Sequence, residues 1–551
     1  MKKVIIIILT IIIIVFGLYF IQSGTAGRSI SKSDDYDEAA KGVGDMLRER
    51  TRGEPMDIRL EGHSIKGLNY RVLVDANLKP FASEDFLEDI LGCAVRRYSG
   101  GDLVIERGDA KVSLTVDDVW VLQDVVFIPL DDRMKTLDYN VEMSFAQNYI
   151  DFSQINGNPA LPAAYDMRKD DRVTPVRDQG KYGTCWAFAS LGALETVTMP
   201  YEENIYSPDH MTLSNSYKLD VAAGGDHSMS IAYMAAWQGP VYEEDDPYGD
   251  RKTDEKLTAA KHLEEAVVIN ERDDEVIKSA IYRYGGIETS LYLAMSYDNL
   301  DSKYYNNEND AYYSPEPHKP NHDVVIVGWD DNYSRDNFGE KPKKDGAFIC
   351  RNSWGRSFGE GGYFYVSYED PNICTQSVVY TRLAEKDNFD RIYQSDMLGW
   401  VGQMGFESDT SYFANVYTAE GDERLAGVSF YSTDKNTEFS VYLVHDFKDT
   451  NDFEKKELVA SGGTRYAGYY TVHLSDEELW LKPGERFAVL VYIKTPGSQK
   501  PVAVEYAAND RSSKADITDG EGYISQYGSK WTRTEEELEA NVCLKAFTVK
   551  R

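Results

Sequence analysis

The chain begins with a stretch that has no polar face. After Met1-Lys2-Lys3, the 18 residues from 4 to 21 are almost wholly Ile, Val, Leu and Phe. That run is longer than a usual secretory core and just long enough for a spanning helix. Lysines on its short side predict that this end stays in the cytoplasm and that the rest of the chain is exported. Gly24-Thr25-Ala26 supplies small residues for cleavage, so residues 1–26 read as a signal peptide or a signal anchor. From 27 to 57 the pattern is charged and polar, as in a linker.

The next apolar signals are short and mixed. Ser83 stands where a helix cap belongs, ahead of the helical spacing Phe86-Leu87-Ile90-Leu91. Strands are predicted near 102–106 and 111–116, and Val126 to Leu137 reads as a weaker second copy of the same unit. Residues 58–150 are therefore expected to form a small α+β domain. Further on, Val324-Val325-Ile326-Val327 is a β-branched run suited to a buried strand, and the polar stretch from Asp330 to Asp345 reads as a loop after it. Beyond about 387 the period becomes two, as in Phe439-Ser440-Val441-Tyr442-Leu443-Val444. Arg486 to Ile493 reads as a buried strand after the turn Lys482-Pro483-Gly484. Short strands between turn signals predict a β-sandwich over 387–551.

Charge and cysteine usage narrow the function. A formal net charge of −33 disfavours a nucleic-acid partner and keeps an exported chain soluble. The five cysteines are Cys93, Cys185, Cys350, Cys374 and Cys543, too few for a disulfide scaffold. Cys350 and Cys374 remain open between a bridge and two buried thiols. An exported chain so poor in disulfides suits a bacterial surface. No metal or other cofactor is expected, since the Asp330-Asp331-Asn332 and Asp336-Asn337 loop lacks the EF-hand spacing.

The candidate chemistry lies between these regions. Gln179-Gly180-Lys181-Tyr182-Gly183-Thr184-Cys185-Trp186 leads into an apolar helical run, which puts Cys185 at a helix start. Free N–H groups and a partial positive charge there favour the thiolate, the nucleophilic form. A nucleophile needs a base, and the base needs an orienting group. Asn321-His322-Asp323 opens the β-branched run 137 residues after Cys185, and Asn352-Ser353-Trp354-Gly355 begins 167 residues after it.

These segments resemble those of papain-like C1 cysteine peptidases, the bacterial type with a C-terminal lectin-like domain included. The resemblance covers about 161–383, starting at Leu161-Pro162, and implies a two-lobed protease fold with a helical lobe and a β-barrel-like lobe. The histidine spacing falls within the roughly 130–150 residues usual for the family; the asparagine lies somewhat beyond. The resemblance implies that Cys185 attacks as a thiolate paired with protonated His322 and that Asn352 orients the imidazole. It implies too that Gln179, with the Cys185 backbone N–H, forms the oxyanion hole. Gly224-Gly225 matches the strip that pairs with substrate backbone beside the S2 pocket, and Trp354 covers the His–Asn hydrogen bond at the substrate-binding surface. Tyr182 replaces a cysteine of the family motif, so one framework disulfide cannot form. His227 is a second imidazole nearby, but its placement argues against a catalytic role.

The expected function is an exported or membrane-anchored endopeptidase acting on peptide or protein substrates. The family's usual helical propeptide pattern is missing from 58–150, which favours a spacer there over a propeptide. Either role makes Asn156-Gly157-Asn158-Pro159 an exposed loop where processing is plausible. Trp400 and Trp531 offer rings for cell-surface carbohydrate, or core indoles instead. Two other readings stand beside this one: an adhesin or carbohydrate-binding protein with a vestigial protease domain, and a cell-wall amidase.

Overall fold

The structure, a computed structural model, describes residues 57–551 except 61–62, 66–69, 75–78, 99–101, 123–124, 145–148, 156–160, 201, 221–222, 255 and 475–477. The apolar segment 4–21 and the 156–159 loop lie outside the described residues. Among those described, no helix is long and apolar enough to cross a membrane.

The chain divides into two compact units, the first reaching Pro159 and the second running from Ala160 to Arg551. In the first, the short helix Glu84–Asp89 packs Phe86 and Leu87 into a core with Ile105, Leu114, Ile128 and Phe152. Three expectations need correction here. Ser83 does stand at the N-cap, but it makes no side-chain cap bond, because it ends the strand Pro80–Ser83 and its Oγ accepts from the Arg71 backbone N–H at 3.3 Å. The strand expected to reach Val116 stops at Leu114, where Thr115 and Asp118 form a capping box around a 3-10 turn. The second copy has its strand, Val125–Pro129, but only a 3-10 turn, Asp132–Lys135, where its helix would stand.

The second unit is built on helices α1 (Cys185–Thr198), α2 (His227–Ala235) and α3 (Asp274–Arg283) and on one long sheet. Helix α1 is apolar nearly all round and is buried from Trp186 to Thr196, as expected of a helix at the centre of a domain. Each large apolar side chain taken fully from water contributes about 1.5–3 kcal/mol. Glu195, the charged residue of α1, is buried against Arg177 Nη2 at 2.6 Å and lies 3.7 Å from Arg351 Nη2.

The sheet strands that frame the site are β1 (Lys261–Ile269), β2 (Ile287–Leu291), β3 (His322–Asp330), β4 (Ala347–Arg351), β5 (Tyr363–Ser367) and β6 (Ser377–Glu385). From the C-terminal part come β7 (Glu423–Ser432), β8 (Ala467–His473) and β9 (Leu544–Lys550). Their spatial order is β5-β4-β3-β2-β6-β1-β8-β7-β9. The sheet therefore passes without a break into the C-terminal region, through antiparallel pairing of β1 with β8 (Ala266 opposite Tyr469, Val267 opposite Gly468). Gly468 is needed at this seam: its φ is +152°, and a Cβ would lie 2.2 Å from the Ala266 carbonyl oxygen.

Strands β7, β8 and β9 face a second sheet that includes Thr437–Val444 and Arg486–Lys494, and the two enclose a core of Phe430, Phe439, Val441, Leu443, Val489 and Val491. This is the sandwich that the alternating pattern predicts. Trp531 packs on Phe453 with ring centroids 4.3 Å apart, and Trp400 lies 6.1 Å from Tyr431, so both indoles take part in packing.

Candidate active site

Three chain segments meet at the start of α1. Thr184, its N-cap, makes no side-chain cap bond and gives its hydroxyl to a 2.8 Å contact with the Tyr248 hydroxyl. The first amides of the helix are thus left without a side-chain cap, beside Cys185. On β3, His322 is buried with its Nε2 2.7 Å from Asn352 Oδ1. Asn352 directly follows β4, whose last residue, Arg351, lies 3.7 Å from Glu195.

Hydrogen bonding fixes the direction of each group. Asn352 Oδ1 also accepts from the Ser353 backbone N–H at 2.8 Å, which identifies that atom as the oxygen. His322 therefore carries its proton on Nε2, and Nδ1 is left with a lone pair. Trp354 covers this pair, with its ring centroid 4.9 Å from the imidazole. Gln179 is buried and held at both ends. Its Oε1 accepts from Ser353 Oγ at 2.5 Å, and its Nε2 donates one hydrogen to the Tyr182 carbonyl at 2.7 Å, three residues before the cysteine. The Gly224-Gly225 strip lies against the same segment. A Cβ on Gly225 would fall 2.6 Å from the Trp186 indole, and one on Gly224 would fall 3.7 Å from the Gly183 carbonyl oxygen. His227 opens α2 behind the Asp226 cap, and burial holds its pKa below the ordinary value.

Burial dominates the electrostatics of both groups. Burial first, then the Asp323 charge, push the Cys185 thiol well above its ordinary range, although the Trp186 and Asp323 backbone N–H groups pull the other way. Burial pushes His322 down to about 4, partly offset by its bond to Asn352. The hydrogen-bond partner of Cys185 Sγ is Asp323 Oδ2, at 3.7 Å. In the sequence Asp323 is part of the histidine motif and carries no assigned role. The signal was there: a carboxylate is out of place at the head of a β-branched run.

All five cysteines are free thiols, with Cys350 and Cys374 both buried. Among the described residues, no group of His, Cys, Asp and Glu has the geometry to hold a metal ion.

Residues 161–381 match the family model for papain family cysteine proteases, and residues 392–548 match the one for the lectin like domain. The chain thus carries a papain-family cysteine protease domain followed by a lectin-like domain. Among solved structures it is similar to the clostridial cysteine protease Cwp84 after propeptide cleavage. That match has 26% identity and a TM-score of 0.61, over 70% of this chain and 99% of that one. A second Cwp84 structure comprises its cysteine protease and lectin-like domains and describes it as a surface layer associated protein of Clostridium difficile. It matches at 25% identity and a TM-score of 0.61, over 71% of this chain and 89% of that one. Among curated proteins, cathepsin K of Mus musculus is 28% identical over 224 residues, 39% of this chain and 62% of that protein. The chain thus spans less than two thirds of the length of such relatives.

Proposed function

We propose that the protein is a cysteine endopeptidase working outside the cell, with Cys185, His322 and Asn352 as its catalytic triad and Gln179 in its oxyanion hole. The observation that carries this reading is the 2.7 Å bond from His322 to Asn352, which leaves Nδ1 as the basic ring nitrogen, while Cys185 at its helix start lies 3.7 Å from the next residue, Asp323. The Cys185 proton passes to Nδ1 as the sulfur attacks the peptide carbonyl, so His322 acts as general base first. The imidazolium then donates to the leaving amine, and in the second half it activates water to release the acyl group. Negative charge on the carbonyl oxygen is met by the Cys185 backbone N–H and by the second hydrogen of Gln179 Nε2. Gly224 and Gly225 bind the extended substrate backbone.

Export is supported by the lysine-flanked apolar run at 4–21, and a surface location by the similarity to Cwp84. The lectin-like domain is assigned to holding the enzyme near carbohydrate or wall material. The test is mass-spectrometric titration of the full chain with a thiol-directed epoxide. One-to-one labelling of Cys185 with parallel loss of peptide hydrolysis is expected, whereas hydrolysis that survives complete labelling would overturn the mechanism. Labelling that requires a prior cut near 150–160 would make residues 58–150 a propeptide; immediate labelling would make them a spacer.

A further inference from the structure

Cys185 touches a carboxylate that peptide hydrolysis does not require. Asp323 Oδ2 lies 3.7 Å from the sulfur, so whatever binds Asp323 lies beside a carbonyl poised for attack. Its other oxygen accepts from Ser290 Oγ at 2.5 Å, directly across the β2–β3 pairing. Neither partner is a cation, and the charge that acts on Asp323 is a second carboxylate, Asp226. Asp226 ends the Gly224-Gly225 strip. Its cation, Arg511 of the lectin-like domain, stands 3.7 Å away, and both side chains are nearly half exposed, which makes the pair weak. Glu288, two residues before Ser290 on β2, is buried, and burial first and the Asp323 charge second raise its pKa well above the ordinary carboxylate range. Among the described residues, the hydrogen-bond partners of Asp323 are thus a thiol and a hydroxyl, and the cation beside Asp226 is nearly half exposed.

An unpaired carboxylate here works against the enzyme's own chemistry, because it opposes a thiolate 3.7 Å away. That cost disappears when a positive charge occupies the subsite. A peptide laid along the strip, with its scissile carbonyl at Sγ, runs past Asp226 and Asp323. We propose that Asp323 makes the subsite beside Cys185 select peptides with Lys or Arg two residues before the scissile bond. This rests on the peptidase reading and adds the substrate class. The substrate cation binds the carboxylate that holds the thiol proton at rest, which frees Cys185 to pass that proton to His322. Productive binding and nucleophile activation are then coupled, and the overall charge of −33 draws cationic peptides toward the cleft.

The test uses the full chain and two fluorogenic peptides identical except for Arg or Leu at that position, with Cys185 epoxide labelling as the count of competent sites. The Arg peptide is expected to have the higher kcat/KM by about tenfold or more, and Asp323→Asn, which can still accept from Ser290, to lower that ratio by about tenfold. Asp323→Glu, which keeps the charge, is expected to retain a preference for Arg. Equal kcat/KM for the two peptides with Cys185 fully labelled in the unmodified protein would overturn the subsite and leave the peptidase intact. No labelling and no turnover of either peptide would overturn both.

Discussion

Two buried acids in the same sheet are treated in opposite ways. Glu264 lies on β1 at the seam between the protease and lectin-like domains. Its oxygens meet His473 Nε2 at 2.9 Å, Asn388 Nδ2 at 2.8 Å and Arg382 Nε at 3.4 Å. Burial opposes its ionisation, but the His473 and Arg382 charges outweigh that and hold its pKa at about 2. Asp323, three strands away, has a hydroxyl and a thiol for partners, and burial followed by the nearby Asp226 charge raises it to about 6. A carboxylate whose task is to hold two domains together is fully compensated inside the protein. One that awaits a ligand is left short of a cation.

The contrast is broken most severely at the nucleophile. Cys185→Ala is expected to lower kcat by about 10⁴-fold or more while leaving the urea midpoint nearly unchanged, since the lost thiol is only partly buried and has a single long contact, to Asp323. Glu264→Ala should do the reverse. Removing one member of a buried charge cluster costs about 3–5 kcal/mol, read as a lower urea midpoint, and the Arg-over-Leu preference of the surviving enzyme should not move. Asn352→Ala falls between them. A loss of about 100-fold in kcat is expected, with little change in KM, because the imidazole loses the acceptor that fixes its tautomer. A purely structural role for Asn352 would instead lower stability with kcat per labelled site intact.

The parts of this comparison were not equally legible in the sequence. Cys185, His322 and Asn352 each sit in a run of local signals: a nucleophile opening an apolar helix, a histidine opening a β-branched strand, an Asn-Ser-Trp-Gly turn. The sandwich showed in the alternation of residues 439–444. The seam did not show. The pairing of β1 with β8 joins segments about 200 residues apart, and an alternating strand reads the same whether its neighbour is its own domain or the next. Whether an acid is compensated is equally non-local. Asp323 faces Ser290 and Glu264 faces His473, and no spacing rule gives either partner. Ser83 takes the N-cap position but lacks its cap bond for a related reason, since the strand pairing and the Arg71 N–H claim a hydroxyl that local preference would spend on the helix.

The smallest effect is also the sharpest, because the two acids must respond to pH with opposite signs. Glu264 binds a proton less readily folded than unfolded, so its contribution is present above about 4.5 and is lost as pH falls toward 2. Asp323 binds one more readily folded, so its contribution is full below about 3.8 and is lost as pH rises through about 6. The groups that set this are Cys185, Ser290, Asp226 and the buried Glu288. Asp323→Asn removes the titration and keeps a group that can accept from Ser290. The stability of the variant relative to the parent should therefore rise between pH 3.5 and pH 7, by about 2 kcal/mol once partial exposure is allowed for. His322, pushed down to about 4, gives its own slope of the opposite sign, but it is present in both proteins and cancels in the difference. Urea unfolding of the pair at the two pH values reads that difference directly. A difference that stays flat would mean that Asp323 already has a cation in solution, and the contrast with Glu264 would be lost.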